Sequence, residues 1–375
     1  MIVSNKKNMK ILHIINTLTI GGAETLVANS LAPGGLQDHA ENILIYFQGD
    51  SHLLDKIDKN VKVINLEYKG WYTIGTLLKK IRKYINEIKP DIIHTHLNPA
   101  GWYTALVKPR HIPQIHTMHL SYSDDEDTDK PRIFFERIFL LQRRDINIIT
   151  LSPLLKEDLM DSIKIKGNVF VLSNFIFDNF FENRKVPVAR EKEFRLIAVG
   201  NMRNQKNYIY LLDIFRHLKK IQVSVDVYGV GDHTPFSEVA AKESLAVNFK
   251  GPTVDAKDLY WRYNGFIMPS KFEGFGLTAY EAMASGIPLF LSDIPAFKSL
   301  IKNNAIYFGL NDAKQAAHII EEAVNGKYDL ENMAEVAKEY AEQTVKRSMY
   351  THRLIEIYHS LLKSSGSKKN LVSML

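Results

Sequence analysis

The sequence predicts an α/β protein built from two parallel-sheet domains in tandem. Short β-branched and apolar runs alternate with amphipathic stretches along most of the chain, which is typical of parallel strands joined by right-handed helical crossovers. The pattern lapses once, in the polar stretch 183–192, and then starts again. A chain of 375 residues also exceeds the roughly 250 to 300 residues at which one hydrophobic core stops growing.

The first domain, assigned to residues 1–187, is expected to hold seven strands. Each is a short apolar run bounded by polar residues. The runs cover residues 10–16, 42–47, 61–66, 91–96, 114–119, 146–152 and 169–173. Between the third and the fourth, leucine and isoleucine recur at helical spacing over residues 75–88, which predicts a crossover helix.

The second domain, assigned to residues 188–344, repeats this architecture with six strands. They are expected at residues 194–200, 223–228, 247–251, 265–269, 288–292 and 305–308. From about 330 to 362 the pattern is helical, and the tail 363–375 is expected to be disordered. Because open parallel sheets bind ligands at the carboxyl ends of their strands, two such domains favour a ligand cleft between them. Dehydrogenases and periplasmic binding proteins share this outline, so the motifs must decide.

Composition restricts the class of protein. The absence of cysteine excludes disulfides and thiolate metal sites and fits a reducing compartment, so we expect a cytoplasmic protein. No apolar run reaches the length of about 18 residues that a membrane-spanning helix needs. The net charge of +6 favours anionic partners, but charge does not choose among nucleic acid, a phospholipid surface and phosphorylated ligands.

The most informative motif is PSKFEGFGLTAYEAMASGIP, at residues 269–288. A strand ends at its start, a glycine-containing loop carries Glu273, and a helix follows. Glu281 falls in the opening turns of that helix, where a carboxylate can accept two hydrogen bonds from ribose hydroxyls. The free amides of residues 276–278 offer a seat for phosphate. As isolated residues, Glu273 and Glu281 could equally be solvated surface charges.

The whole string closely resembles the E-x7-E signature of glycosyltransferase family 4, and the resemblance extends over residues 9–362. It implies a GT-B fold, in which two Rossmann-like domains face a central cleft and the second domain binds the nucleotide-sugar donor. It also implies that a final helix, about 345–362, returns to the first domain, on the acceptor side. Family membership further implies retention of anomeric configuration and no cofactor or obligatory metal.

Two further glycine-containing loops fit the family in the same order. In NTLTIGGAE, residues 16–24, the family's paired glycines lie against the donor phosphates and the transferred sugar, although Gly21 and Gly22 could also form an ordinary strand-to-helix turn. VGNMRNQKN, residues 199–207, resembles the family's pyrophosphate loop. Lys206 matches its lysine, but Asn201 replaces its arginine. If the loop begins extended, Arg203 could reach the same phosphates; alternatively Arg203 is solvated and Asn201 makes the contact.

His119 ends the strand of PQIHTMH and matches the family's histidine beside the anomeric centre, where it would steady developing charge. A histidine at a strand end is also a common structural donor. His94, His96 and His116 raise the question of a metal, but His116 and His119 are expected on opposite faces of the strand, which favours ordinary strand histidines.

The resemblance therefore implies a site in which each residue contacts a different part of the donor. Glu281 is assigned to ribose, Lys206 to pyrophosphate, Glu273 to the sugar hydroxyls and His119 to the anomeric centre. The catalytic pair is His119 and Glu273. The donor-binding set is Gly21, Gly22, Asn201, Arg203, Lys206, Phe275, Gly276, Leu277, Thr278 and Glu281.

The expected function is a retaining glycosyltransferase that moves a sugar from a UDP- or GDP-linked donor to an acceptor in cell-surface polysaccharide or glycolipid synthesis. A sugar-nucleotide epimerase of the same fold, or a non-catalytic nucleotide-sugar binder, stays open. A nucleic-acid partner is not expected.

Two features at 124–144 bear on metal and membrane contact. The acidic run DDEDTD, residues 124–129, contains the D-x-D pattern of metal-dependent glycosyltransferases, but a solvated loop is favoured. The stretch 131–144 combines apolar residues with arginines. It could lie on an anionic membrane, where each basic residue adds about 1 kcal/mol, or be a core helix with a charged rim. We therefore expect a lipid-linked acceptor and a peripheral contact with the inner face of the membrane.

Overall fold

The computed structural model describes residues 9–19, 21–119, 137–163, 165–182, 193–218, 222–253 and 256–372. The chain divides into two compact units. The first comprises Met1–Asn174 and Arg347–Leu375, and the second comprises Phe175–Lys346. No helix among the described residues is both long and apolar enough to span a membrane.

The first unit contains a seven-stranded parallel sheet in the order β3-β2-β1-β4-β5-β6-β7. Its strands are β1 (Lys10–Ile15), β2 (Glu41–Tyr46), β3 (Lys62–Asn65), β4 (Ile92–His96), β5 (Gln114–Met118), β6 (Ile146–Thr150) and β7 (Val169–Val171). Its crossover helices include α1 (Gly22–Ser30), α2 (Ile74–Ile88), α3 (Ala100–Val107) and α4 (Pro153–Ser162). Strand order reverses between β1 and β4, which is where doubly wound sheets open a crevice for ligands.

The second unit contains a six-stranded parallel sheet in the order β10-β9-β8-β11-β12-β13. Its strands are β8 (Phe194–Val199), β9 (Val223–Tyr228), β10 (Val247–Gly251), β11 (Gly265–Met268), β12 (Leu289–Ser292) and β13 (Ile306–Phe308). Its helices are α5 (Tyr208–His217), α6 (Thr234–Lys242), α7 (Leu277–Ala284), α8 (Pro295–Leu300), α9 (Ala313–Val324) and α10 (Leu330–Thr344). The order reverses between β8 and β11, so the loops after these two strands flank the corresponding crevice.

The last helix, α11 (Arg347–Val372), belongs to the first unit. Tyr358 anchors it, because its fully buried hydroxyl lies 2.6 Å from His94 Nδ1. The helical backbone extends to Val372, into the tail 363–375 for which disorder was expected. No proline interrupts this stretch, and the single Gly366 costs a helix only about 1 kcal/mol.

The boundary between the units lies between Asn174 and Phe175, earlier than the expected one at 187. The polar stretch 183–192 that predicted it is outside the described residues. The chain enters the second unit before residue 187. The amide of Ile176 already donates to the carbonyl of Val345, a residue of that unit, at 2.8 Å. A polar stretch predicts where a chain is exposed, whereas packing decides to which core the preceding residues belong.

Candidate functional site

The two motif loops of the second unit form one connected surface. They follow β8 and β11, which are hydrogen-bonded neighbours and therefore end at the same edge of the sheet. Gln205 Nε2 donates to the carbonyl of Phe272 at 2.9 Å, and the amide of Lys271 donates to the carbonyl of Gln205 at 2.9 Å. Gln205 is not recognisable from the sequence as the link between the loops, because nothing in its spacing indicates a partner so far along the chain.

An ion pair joins the lysine and the first glutamate of the motifs. Lys206 Nζ, in the short 3-10 helix Asn204–Lys206, lies 2.6 Å from Glu273 Oε1. Ser270 Oγ donates to the same carboxylate oxygen at 2.8 Å, and Glu273 is only 8% exposed. The family resemblance implies separate tasks for Lys206 and Glu273. The structure brings them into contact, so an anionic ligand at this site would compete with Glu273 for the lysine.

Gly276 shapes the N-terminus of α7. It has a left-handed backbone with φ of 77°, and a Cβ at this position would lie 2.7 Å from Cε1 of Phe297. No side chain caps the helix. Because the first amides of a helix have no intrahelical acceptor, those of Leu277 and Thr278 can bind an anion. Phe275, by contrast, is 3% exposed and stacks on Tyr280 at 4.7 Å between ring centroids, so its side chain packs inside the unit.

Glu281 is held by a tyrosine that the sequence analysis did not single out. The Tyr260 hydroxyl donates to Glu281 Oε2 at 2.9 Å. Tyr260 is fully buried, and burial together with the neighbouring carboxylate raises its pKa well above the ordinary value. The phenol therefore stays protonated, and the hydrogen bond that it donates orients the carboxylate of Glu281. Only the tertiary structure identifies it, because Tyr260 lies in a separate helical turn before β11.

Asn201 and Arg203 occupy different environments. Asn201 Oδ1 accepts a hydrogen bond from the amide of Val230 at 3.3 Å, which ties the loop after β8 to the loop after β9. Arg203 is exposed, and its backbone is extended with φ of −118° and ψ of 151°. The arginine hypothesis required an extended start of the loop, but the amide of Arg203 donates to the carbonyl of Asn201 at 2.8 Å and closes a turn at Met202, so this condition is not met. The contact of Arg203 with phosphate stays a prediction.

In the first unit, Asn16 joins the ends of the two strands at the reversal of strand order. Its Oδ1 accepts from the amide of Ala100 at 2.9 Å, and its Nδ2 donates to the carbonyl of Asn98. The paired glycines follow in the same loop, with Gly21 directly before α1 and Gly22 as its first residue. A Cβ at Gly21 would lie 2.4 Å from Glu24 Oε2, the end of a flexible side chain that can move aside.

His119 directly follows β5 and lies beside a row of histidines on one face of the sheet. Its ring centroid is 6.2 Å from that of His96, which is 4.0 Å from His94 and 6.0 Å from His13. His116 lies on the other face, where its Nδ1 is 3.0 Å from the hydroxyl of Thr95. The alternation expected for His116 and His119 is therefore observed, while His13 was missed because it comes from a different strand.

Burial keeps this row of imidazoles neutral. It lowers the pKa of His13 and His119 to about 4 and that of His116 to about 3. It also lowers the pKa of His94 and His96 well below the ordinary value, with a further contribution from the neighbouring imidazoles. At neutral pH the imidazole of His119 is therefore uncharged, and it can donate one hydrogen bond and accept another. Its Nε2 is shielded from solvent and has no partner among the described residues.

Three of these histidines are close enough to share a metal ion, since ligand nitrogens of His13, His94 and His96 lie within 4.8 Å of one another. However, both nitrogens of His94 are engaged, at 2.6 Å with Tyr358 and at 2.8 Å with the hydroxyl of Thr117. A metal would have to displace one of these contacts, and zinc sites use three or four protein ligands. Both nitrogens of His96 and Nδ1 of His13 are buried without a partner among the described residues, and the expectation of strand histidines without a metal stays a prediction.

The acidic run 124–129 lies outside the described residues, as does the first part of the stretch 131–144. Of the part that is described, Leu140 and Leu141 are fully buried. Arg143 forms an ion pair with Asp145 at 2.6 Å. Ile138 in the same part is 40% exposed, and the choice between the two interpretations of the whole stretch stays a prediction.

Family models match nearly the whole chain. Residues 20–179 match Glycosyltransferase Family 4, and residues 179–344 match Glycosyl transferases group 1. An uncharacterized 41.2 kDa protein in the cps region of Klebsiella pneumoniae is 23% identical over 94% of this chain and 100% of its own length. The O-antigen chain mannosyltransferase RfbU of Salmonella typhimurium is 25% identical over 60% of this chain and 69% of its own.

Solved structures share the fold. HepE of Anabaena, in complex with UDP and glucose, aligns with a TM-score of 0.80 at 17% identity and covers 94% of this chain and 100% of its own. WaaG, a glycosyltransferase involved in lipopolysaccharide biosynthesis, aligns with a TM-score of 0.73 at 14% identity and covers 93% and 99%. At these identities the likeness concerns architecture.

Proposed function

Because the chain belongs to glycosyltransferase family 4 and is a glycosyltransferase of GT-B fold, we propose that it moves a sugar from a nucleoside diphosphate to an acceptor with retention of anomeric configuration. The observation that carries this proposal is the Lys206–Glu273 ion pair, 2.6 Å long, on the joined loops after β8 and β11. This pair supports the proposal because a cation suited to phosphate and a carboxylate suited to sugar hydroxyls lie together at the edge of the sheet where α7 begins.

We assign the donor to this edge of the second unit. When the donor binds, the ammonium group of Lys206 exchanges Glu273 for the pyrophosphate as its ion-pair partner. The first amides of α7 donate hydrogen bonds to the same phosphates. The carboxylate of Glu281, oriented by Tyr260, accepts hydrogen bonds from the ribose hydroxyls. HepE, which binds UDP and glucose, supports a diphosphate-linked donor. A GDP-linked sugar is the alternative.

The chemistry follows from the charges that develop. As the glycosidic bond breaks, the pyrophosphate gains negative charge and the anomeric carbon becomes oxocarbenium-like. Lys206 and the N-terminus of α7 stabilise the leaving group, so no metal is required for this task. Glu273, released from the lysine, accepts hydrogen bonds from the sugar. We assign His119, as a neutral imidazole, to the sugar beside the anomeric carbon.

The acceptor that we propose is a lipid-linked precursor of a cell-surface polysaccharide or glycolipid, used at the inner face of the membrane. Two relatives support this class. RfbU is an O-antigen chain mannosyltransferase, and WaaG acts in lipopolysaccharide biosynthesis.

The test is a panel of UDP- and GDP-sugars, with nucleoside diphosphate release measured in the presence and absence of lipid-linked acceptors. A transferase releases the diphosphate rapidly from one donor, only with acceptor, and the anomeric coupling constant of the product reports retention. An epimerase would change the sugar without acceptor, and a binding protein would do neither. Unchanged rates in EDTA are expected, and loss of activity there would contradict a metal-free mechanism.

A further inference from the structure

An exposed aromatic pair precedes α2 in the first unit. Trp71 and Tyr72 are 83% and 68% exposed, more than any other large apolar side chain among the described residues. They lie in the helical turn Trp71–Thr73, which leads into the helix, and their rings meet edge to face with centroids 6.4 Å apart. Neighbouring exposed aromatic rings of this size indicate a surface that is covered in use.

The helix beside them carries a basic outer face. Leu77, Ile81 and Ile85 are buried against the sheet, whereas the opposite side of α2 exposes cations. The exposed cations on α2 and on the residues that flank it and the aromatic pair are Lys69, Lys79, Arg82, Lys83 and Lys89.

The charge of this segment is strongly one-sided. Residues 67–89 contain six basic side chains and two acidic ones, a net charge of +4 against +6 for the whole chain. One of the acids, Glu87, lies 3.8 Å from Lys83. Since this short segment carries a clear positive surplus, the partner that fits it is anionic.

The position in the sheet suits delivery of an acceptor. Trp71 follows the carboxyl end of β3, and β3 is separated from β1 by β2 alone. Two strand spacings amount to about 10 Å. The aromatic pair therefore extends from the same edge of the sheet as the loop that carries Gly21 and Gly22. A surface bound there would lie near that loop.

We propose that Trp71, Tyr72 and the basic face of α2 dock this protein on an anionic lipid bilayer. Tryptophan and tyrosine suit the headgroup level, where an apolar ring and a polar edge are both satisfied. The neighbouring lysines and arginine are attracted to anionic headgroups. The inference rests on the proposed lipid-linked acceptor.

The test is co-sedimentation of the full chain with phosphatidylcholine vesicles that contain phosphatidylglycerol, and with phosphatidylcholine vesicles alone. We expect binding to the anionic vesicles, weakened by salt. The Trp71→Ala/Tyr72→Ala variant and the Lys79→Glu/Arg82→Glu/Lys83→Glu variant should each lose at least tenfold in affinity.

The matched control is Ile209→Ala, which removes a side chain that is 63% exposed in the second unit and should leave binding unchanged. Circular dichroism checks folding of each variant. A blue shift of tryptophan emission on anionic vesicles, absent in Trp71→Phe, would locate the inserted ring.

Vesicle binding by both patch variants equal to that of the parent would overturn the proposal. So would a preference of this surface for single-stranded RNA, since exposed aromatic rings and cations also bind nucleic acid. Transfer to a short-chain, water-soluble acceptor separates this inference from the proposed function. The patch variants should retain that activity, whereas an incorrect proposed function would leave the parent itself without it.

Discussion

Lys206 Nζ lies 2.6 Å from Glu273 Oε1, so the cation assigned to the donor phosphates is neutralised by the carboxylate assigned to the donor sugar. The pair is mostly shielded, with side-chain exposures of 16% and 7%. From this geometry we predict an exchange of partners. The lysine would leave the carboxylate when the pyrophosphate arrives, and the carboxylate would become available to the sugar.

The first prediction concerns this exchange. Glu273→Gln should lower kcat by at least tenfold but leave nucleoside diphosphate affinity equal or higher, because Lys206 no longer has a competing carboxylate. Lys206→Ala should weaken that affinity by about 1 to 3 kcal/mol. Calorimetry of UDP and GDP binding, beside initial rates, measures both effects. Loss of nucleotide binding in Glu273→Gln with normal turnover would reverse the roles assigned to Glu273 and Glu281.

A second prediction separates Glu281 from its tyrosine. Glu281→Ala should weaken donor binding by about 1 to 3 kcal/mol, because ribose hydroxyls would be buried without an acceptor. Tyr260→Phe removes only the donor that orients the carboxylate, so its effect should have the same sign and be smaller. Both are read from nucleotide titrations, and equal affinity of Glu281→Ala and the parent would exclude the ribose assignment.

For His119→Ala we expect a folded protein whose turnover falls by roughly 10²-fold, the scale of a positioned polar catalytic group. Because burial holds its pKa at about 4, the activity that depends on His119 should not change between pH 6 and 8. Steady-state kinetics over this range checks both statements. Near-parental turnover would return His119 to a structural role.

The buried histidines also predict the dependence of stability on pH. Their pKa values in the folded state lie below the ordinary 6.5, at about 4 for His13 and about 3 for His116. Below pH 6.5 the unfolded chain therefore binds more protons, and the free energy of unfolding falls as pH decreases towards 4. Each such group contributes up to about 1.4 kcal/mol per pH unit.

Urea unfolding between pH 7 and 5 measures this slope. His13→Gln should flatten it, whereas His359→Gln, which changes an exposed histidine on α11, should not. A slope that is the same in parent and His13→Gln would show that the cluster is not the cause.

A last prediction tests the replaced arginine. If Arg203 supplies the missing cation, Arg203→Ala should lower kcat/KM by about 2 kcal/mol, roughly thirtyfold. Asn201→Arg in that background should restore part of the loss. Parental kinetics of Arg203→Ala together with a crippled Asn201→Ala would assign the contact to the asparagine. A melting curve for Asn201→Ala is needed beside the kinetics, because Asn201 also holds the loop that begins at Val230.

The sequence by itself predicted the two-sheet α/β architecture, every strand, the family and the loops that carry the site, because these depend on local periodicity and on short motifs. The fold class, the family and the enzyme class are confirmed by the comparisons. The roles of single residues in catalysis and donor binding stay predictions.

Only the tertiary structure decided which residues meet. Lys206 and Glu273 are 67 positions apart, and they touch because β11 pairs with β8. Tyr260 reaches Glu281 from outside the motif, and His13 joins His94 and His96 because β1 pairs with β4. The boundary at Asn174 likewise follows from packing. Strand order and side-chain packing depend on contacts between distant parts of the chain, and the periodicity of a single segment carries no information about them.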